Sequence, residues 1–192
     1  MPPKVKITKN DIICTSVDLI RKNGYDALNT RNIAKELNCS TQPIFSNFSS
    51  MEELEKEVIL HAYNIYLRFI ETEIASDKYP KYKAFGMAYI RFAKEEKEFF
   101  KLLFMRDRNG KDFIPTADFD QSIQILMHSN CISKEVATKM HLEMWALVHG
   151  IAVMLATSFI TFDWAFISDM VTDVYQGIRT RNSCKENKNG SN

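Results

Sequence analysis

The chain has 192 residues, of which 45% are hydrophobic and 11% aromatic, with only six Gly and five Pro. This composition excludes a disordered or fibrous protein and favours a helix-rich globular one, with one compact unit and a small appendage. The net charge is +1, but residues 1–50 carry seven Lys or Arg against four Asp or Glu, an excess of three positive charges at the end where a nucleic-acid-binding element would use them.

Four scattered cysteines form no CxxC pair and lack the His spacing of a zinc site, so we expect no metal site and no cofactor. The N-terminus carries charge without an apolar run behind it, which argues against a signal peptide. An apolar stretch over 145–162 is interrupted by polar residues and is interpreted as a buried bundle helix. We therefore expect a cytoplasmic protein that does not enter a membrane.

The first predicted element is an amphipathic helix over residues 8–23. Its apolar and small residues recur at i, i+3, i+4, i+7 and i+8, and Gly24 follows as a stop signal. A second, short helix is predicted over 30–37, capped by Asn29 or Thr30.

A tight turn and a third short helix come next. Asn38 tolerates left-handed backbone, and the third helix is predicted over 41–48, capped by Ser40 or Thr41, with Pro43 in the first turn where its missing N–H needs no partner. Two short helices joined by a tight turn predict a helix-turn-helix. An ordinary three-helix packing motif fits the periodicity equally well.

The rest of the chain is also predicted to be helical, and no strand pattern is present. Ser50 and Glu53 are expected to form a capping box that opens a long helix through Ile74. Residues 182–192 are polar and are expected to be disordered. Further helices are predicted over 81–94, 96–105, 117–130, 133–158 and 164–180.

If the helix-turn-helix binds DNA, its second short helix lies in the major groove. The amides of Gln42 and Asn47 can pair with adenine edges, and neighbouring hydroxyls and a proline ring offer further base contacts. Phosphates are better reached by residues of the preceding helix and by two lysines near the first helix, namely Thr30, Arg31, Lys35, Lys6 and Lys9. The candidate DNA-binding residues are Thr30, Arg31, Lys35, Ser40, Thr41, Gln42, Pro43, Phe45, Ser46 and Asn47.

One pattern runs through this whole segment. It reads Ile12-x-x-Thr15-Ser16-x-x-Leu19-Ile20-x-x-x-Gly24-Tyr25, then Asn29-x-Arg31-x-Ile33-Ala34, and closes with Phe48-x-Ser50-x-Glu52-x-Leu54. The pattern resembles the opening of transcriptional regulators of the TetR/AcrR family. Met51 departs from it, since the family often has a phosphate-contacting Lys at that position.

The resemblance implies an all-α protein that is a regulator and not an enzyme. Its domains would be a DNA-binding helix-turn-helix over 1–50 and a helical bundle over 51–181 that senses a ligand and dimerises. A homodimer through the last two helices, aided by the small residues Ala146, Gly150 and Ala156, would bind a pseudo-palindromic double-stranded operator, with repression as the usual mode.

A looser likeness occurs in the C-terminal part, where Trp145-Ala-Leu-Val-His149-Gly150 resembles the Trp-His-Gly element of one sensor subgroup. Aromatic and Met side chains are dense around it, and the resemblance implies that some line a pocket for a small apolar or amphipathic ligand. The alternative is that these side chains only fill the core. The candidate ligand-binding residues are Phe69, Phe85, Tyr89, Phe92, Phe104, Met105, Met127, Met144, Trp145 and His149.

Two other functions stay open. One is an all-helical small-molecule-binding or interaction protein without specific DNA binding. The other, least favoured, is a helical enzyme, because the chain has no nucleophile elbow, phosphate-binding Gly loop, paired-carboxylate constellation or HExxH motif. If the chain is a regulator, the helix over 51–74 joins both domains and is hypothesised to shift when ligand binds.

Overall fold

The computed structural model describes residues 7–106 and 117–189, and every regular element in these ranges is a helix. The all-α prediction is therefore confirmed, and so is the N-terminal helix-turn-helix. A short 3-10 helix, Tyr25–Ala27, follows the first helix. The α-helices are α1 Lys9–Asn23, α2 Thr30–Glu36, α3 Gln42–Asn47, α4 Met51–Ala75, α5 Lys81–Glu95, α6 Lys97–Phe104, α7 Ala117–Asn130, α8 Lys134–Ala156 and α9 Trp164–Asn189.

All the predicted helices are present, and all but the last end within one or two residues of the predicted positions. The exception is α9, which continues past 180 to Asn189. Residues 182–189, for which disorder is predicted, form the end of this helix in the structure, and 190–192 lie outside the described residues. Lys and Glu in this segment are good helix formers, and extending a packed helix needs no new nucleus.

The chain divides into two compact units. The first comprises residues 1–67 and 96–106, and the second comprises 68–95 and 107–192. This division differs from the predicted boundary after residue 50, because the first part of α4 and the whole of α6 belong with the helix-turn-helix. Helix α4 is continuous through both units.

In the first unit, α1 is the element on which the short helices pack. Ile12 of α1, Ile33 of α2 and Ile44 of α3 are almost completely buried. Gly24 ends α1 at a φ of +81°, and an added Cβ there would lie 3.0 Å from Glu98 Oε2. Only glycine adopts this backbone without strain, so the predicted stop signal is confirmed.

The second unit is a bundle in which α5, α7, α8 and α9 pack together. Helices α5 and α8 approach closely at Gly86, where an added Cβ would lie 3.3 Å from Val148 Cγ2. The buried carboxylate of Glu73 forms an ion pair with Arg91, whose Nη1 lies 2.9 Å from Oε2 but is not aligned as a hydrogen bond. The Arg91 guanidinium also lies over the Trp164 ring, 5.4 Å from its centroid.

Within the described ranges, none of the helices is both long enough and apolar enough to cross a membrane.

Candidate nucleic-acid interface

Helix α2 and the turn after it are held by short-range hydrogen bonds. The Asn29 side chain accepts a hydrogen bond from the backbone N–H of Asn32 at 3.0 Å, which caps the helix as predicted. Asn38 has a φ of +50°, and the N–H of Cys39 donates to the carbonyl of Ala34 at 2.9 Å. This left-handed turn redirects the chain into α3.

Helix α3 has one buried and one exposed face. Ile44 and Phe48, each about 2% exposed, anchor it to the core. Gln42, Phe45 and Ser46 are exposed and lie at i, i+3 and i+4, so they share the opposite face. We call these three residues the reading face. It is the part of the first unit that a DNA major groove would meet in the usual docking of a helix-turn-helix.

Two polar side chains of α3 are bonded to the helix itself. The Ser46 hydroxyl donates to the Gln42 carbonyl at 3.0 Å, and the Asn47 amide nitrogen donates to the Pro43 carbonyl at 2.8 Å. Asn47 is half-buried and lies beside the reading face. Thr41 occupies the N-cap position of α3 without a side-chain capping bond.

The predicted phosphate contacts differ in their availability. Arg31 and Lys35 are exposed and lie one turn apart on α2, whereas Thr30 is half-buried. Lys9 instead forms ion pairs, 3.0 Å from Glu57 and 3.5 Å from Glu53. Its hydrogen bond to Glu57 raises the pKa of the ammonium group, so Lys9 links α1 to α4 and has carboxylate partners already.

One of the two hydrogen bonds of the capping box predicted at the start of α4 is confirmed. The Ser50 hydroxyl accepts from the backbone N–H of Glu53 at 3.3 Å, as predicted. The Glu53 carboxylate, however, accepts from the backbone N–H and hydroxyl of Ser49, at 2.8 and 2.7 Å, and not from the Ser50 backbone. The Ser49 hydrogen bonds lower the pKa of Glu53 and keep this carboxylate charged.

Two long-range contacts that the sequence did not reveal hold α6 in the first unit. Arg21 Nε donates to Glu96 Oε2 at 3.0 Å. Arg106 contacts Glu55 and lies over the Tyr25 ring, 4.0 Å from its centroid. Such pairs carry no local sequence signal, because many other charged residues on the chain would serve as partners.

Of the predicted ligand-binding residues, Phe104 and Met105 belong to the first unit and the other eight to the second. Phe104 packs edge-on against Tyr66, with ring centroids 5.3 Å apart. Met105 is exposed and lines an open cavity of about 420 Å³. The other residues that line it are Asn23, Gly24, Tyr25, Asp26, Glu98, Lys101, Leu102 and Arg106.

A polar cluster in the second unit joins three of the predicted ligand residues. Tyr89 Oη lies 2.8 Å from His149 Nδ1, and the His149 ring stacks on Trp145 with centroids 5.0 Å apart and an interplanar angle of 17°. Burial lowers the pKa of His149. The remaining candidates are largely core: Phe85, Phe92 and Met144 are buried, while Phe69 and Met127 are half-buried. Ligand contact stays a prediction for all of them.

A second Tyr–His pair lies along the same two helices. Tyr82 Oη lies 3.0 Å from His141 Nδ1, and the edge of Phe119 meets the His141 ring at a centroid distance of 4.5 Å. Burial lowers the pKa of His141 to about 4, despite the nearby charge of Asp118. His141 is therefore neutral in the folded protein near pH 7, where a neutral imidazole nitrogen can accept the Tyr82 hydrogen bond.

Comparison with known proteins gives the helix-turn-helix a family likeness. Residues 12–58 match the sequence model of the bacterial regulatory proteins of the tetR family. This segment contains both α2 and α3 and the start of α4. No curated protein sequence matches the chain.

Solved structures share the fold over most of the chain. A TetR family member from Streptomyces coelicolor A3 is 13% identical, with a TM-score of 0.60 and coverage of 86% of this chain and 96% of its own. A protein of unknown function from Rhodococcus sp. RHA1 is 18% identical, with a TM-score of 0.62 and coverage of 94% and 97%. A TetR/AcrR-family transcriptional regulator from Aquifex aeolicus VF5 is 15% identical, with a TM-score of 0.52 and coverage of 91% and 99%. The likeness extends beyond the helix-turn-helix, and the predicted Trp-His-Gly sensor subgroup stays a prediction.

The buried His141 predicts a pH dependence of stability. Because its pKa is about 4 in the folded chain and about 6.5 when unfolded, the unfolded state binds more protons between these values, so stability falls as pH falls through this window. We expect the wild type to lose roughly 3 kcal/mol relative to His141→Asn between pH 7 and 4. Urea unfolding at several pH values measures the difference. The exposed His128 serves as the control: His128→Asn should follow the wild type, and equal slopes for His141→Asn would contradict the assignment.

Proposed function

We propose that this chain is a DNA-binding transcriptional repressor that acts in the cytoplasm without enzymatic activity. The observation that carries the proposal is the construction of α3, whose anchors Ile44 and Phe48 are buried while Gln42, Phe45 and Ser46 are presented to solvent. The match of residues 12–58 to the tetR family supports it.

In this proposal the two short helices contact different parts of the DNA. Arg31 and Lys35 of α2 contact phosphates, which set affinity and register, while the reading face contacts base edges. Both basic side chains are exposed to solvent.

DNA binding should depend on salt and on these two kinds of residue in different ways. Purified protein is titrated onto DNA from around its own gene over a salt series. Gln42→Ala should weaken the preferred site about tenfold and random DNA hardly at all, because an amide–adenine pair is lost. Arg31→Ala should weaken both and reduce the slope of log affinity against log salt by about 0.9, because one phosphate contact is lost.

Lys134→Ala is the matched control for that experiment, because Lys134 is an exposed cation at the start of α8. It should leave both affinity and salt slope unchanged. Equal binding of the wild type to every fragment would favour the alternative, a helical sensor or interaction protein without specific DNA binding.

We also propose that the chain acts as a homodimer through α8 and α9. Leu142 and Ala146 are exposed one turn apart on α8, and an added Cβ at Gly150 would meet nothing within 4 Å. Phe166 of α9 is 54% exposed, and Gly177 likewise has open space around it. Together these residues leave apolar surface that a second copy would cover, whereas Ala156, predicted to assist, is buried within the subunit.

Charged substitutions on this surface should separate the subunits. We expect Leu142→Asp and Phe166→Asp to be monomeric by analytical ultracentrifugation at concentrations where the wild type is a dimer, since each places a carboxylate in an apolar contact. Leu60→Asp, on an exposed apolar residue of α4, is the control and should stay dimeric. If the Leu142→Asp and Phe166→Asp proteins are dimeric, the interface lies elsewhere on the chain.

Ligand response is proposed to arise in the second unit and to reach the helix-turn-helix through α4. The Tyr89–His149–Trp145 cluster offers a polar group within an aromatic setting, which suits an amphipathic ligand. Helix α4 runs without a break from the first unit into the second. A ligand that prefers one arrangement of this helix would change DNA affinity.

Linkage makes this response testable. Apolar and amphipathic compounds are screened for those that raise the melting temperature of the wild type but not of His149→Ala. Any such compound should weaken operator binding, and operator should weaken compound binding by the same factor. His61→Ala, on α4 in the first unit, is the control and should retain compound binding. A compound whose affinity is the same with and without operator would exclude the coupling.

A further inference from the structure

We infer that the reading face selects A·T base pairs and does not read guanine. Three observations carry this: the absence of Lys and Arg from residues 36–55, the internal hydrogen bonds of the polar side chains on α3, and the exposed phenyl ring of Phe45. The inference rests on the proposed function, since it specifies which base pairs the DNA-binding face prefers.

The first observation is chemical. Residues 36–55, which contain the turn, all of α3 and the start of α4, include no Lys or Arg. Guanine presents only acceptors in the major groove, its O6 and N7, and is read most often by the donor forks of Arg or by Lys. The reading face lacks both residue types, so the usual means of selecting guanine is missing there.

The second observation concerns which atoms remain available. The Ser46 proton is directed to the Gln42 carbonyl and one Asn47 amide proton to the Pro43 carbonyl. What Ser46 offers outward is therefore a lone pair, and Asn47 offers its carbonyl oxygen together with one remaining proton. Acceptors pair with the exocyclic amino groups of adenine N6 or cytosine N4 and are repelled by the guanine edge.

The third observation separates adenine from cytosine. Phe45, a member of the reading face, is 57% exposed. The C5-methyl of thymine is the one apolar group that the four bases present in the major groove. On the reading face, the Phe45 ring can contact the thymine methyl group of an A·T pair, and the adenine of the same pair supplies the amino group. A G·C pair has no methyl group for the ring to contact.

Gln42 completes the set. It is the first residue of α3, is exposed, and has an amide that can both donate and accept. That is the combination needed for a bidentate pair with adenine N6 and N7. Each member of the reading face therefore has a partner on an A·T pair.

The test begins with selection of bound duplexes from a randomised pool by the full-length protein. We expect an enriched site whose half-sites contain A·T pairs where α3 binds. Each thymine in the best site is then replaced singly by deoxyuridine, which removes only the methyl group. One replacement should weaken wild-type binding roughly fourfold, the value of one buried methyl-sized group.

Variants of Phe45 then test whether this side chain contacts the thymine methyl group. Phe45→Ala should bind the thymine and uracil sites equally, whereas Phe45→Leu, which keeps an apolar side chain, should retain part of the difference. Leu60→Ala removes a similarly exposed apolar side chain from α4 and should leave the fourfold difference intact. Because Phe45 is exposed, circular dichroism and melting temperature should match the wild type.

The outcomes distinguish the inference from the function on which it rests. No enriched sequence overturns both. An enriched site with G·C pairs beneath α3, at which 7-deazaguanine weakens wild-type binding but not that of Gln42→Ala, overturns A·T selection and leaves the regulator standing. A uracil effect that persists in Phe45→Ala removes Phe45 as the reader of thymine and also overturns the inference.

Discussion

Helices of seven and six residues do not persist alone in water, so α2 and α3 exist because they are buried against α1. Ile33 and Ile44 provide that burial, and Phe48 fixes the end of α3. This constraint divides the positions of α3 into those that must be buried and those that remain exposed to solvent. With one face committed to the core, Gln42, Phe45 and Ser46 are left to solvent, and their chemistry can serve recognition without loss of stability.

The ends of these helices could be predicted because their causes are local. Asn29 caps α2, Asn38 takes up the left-handed turn, and Gly24 occupies a backbone conformation that other residues resist, each recognisable from residue type and spacing. Prediction from the local sequence failed where two adjacent residues could donate to the same carboxylate. The Glu53 carboxylate accepts from the backbone N–H of Ser49 and not from that of Ser50, a choice between adjacent residues that a motif does not resolve.

What the sequence could not show is the long-range pairing that assigns α6 to the first unit. Arg21 and Glu96 are 75 residues apart, and Arg106 and Glu55 are 51 apart. Charged residues are plentiful, and an exposed ion pair contributes only up to about 1 kcal/mol, so composition leaves each pairing undetermined. The sequence also could not show which ligand candidates belong to the same unit. The sequence prediction groups Phe104 with Phe85 and Tyr89 because aromatic residues are dense in this part of the sequence, whereas the structure assigns Phe104 to the other unit.

The uncharged reading face has a consequence for affinity. Three side chains on one short helix contact few base pairs, and none of them gains the long-range attraction that a cation has for DNA. In the proposed regulator, affinity would then come from exposed cations such as Arg31 and Lys35 and from the pairing of two such units on one DNA. A two-fold dimer adds the free energies of two weak half-site contacts while it pays the cost of association with DNA once. In the proposed homodimer, the apolar surface on α8 and α9, where Leu142 and Phe166 are exposed, would therefore determine DNA recognition as much as α3 itself.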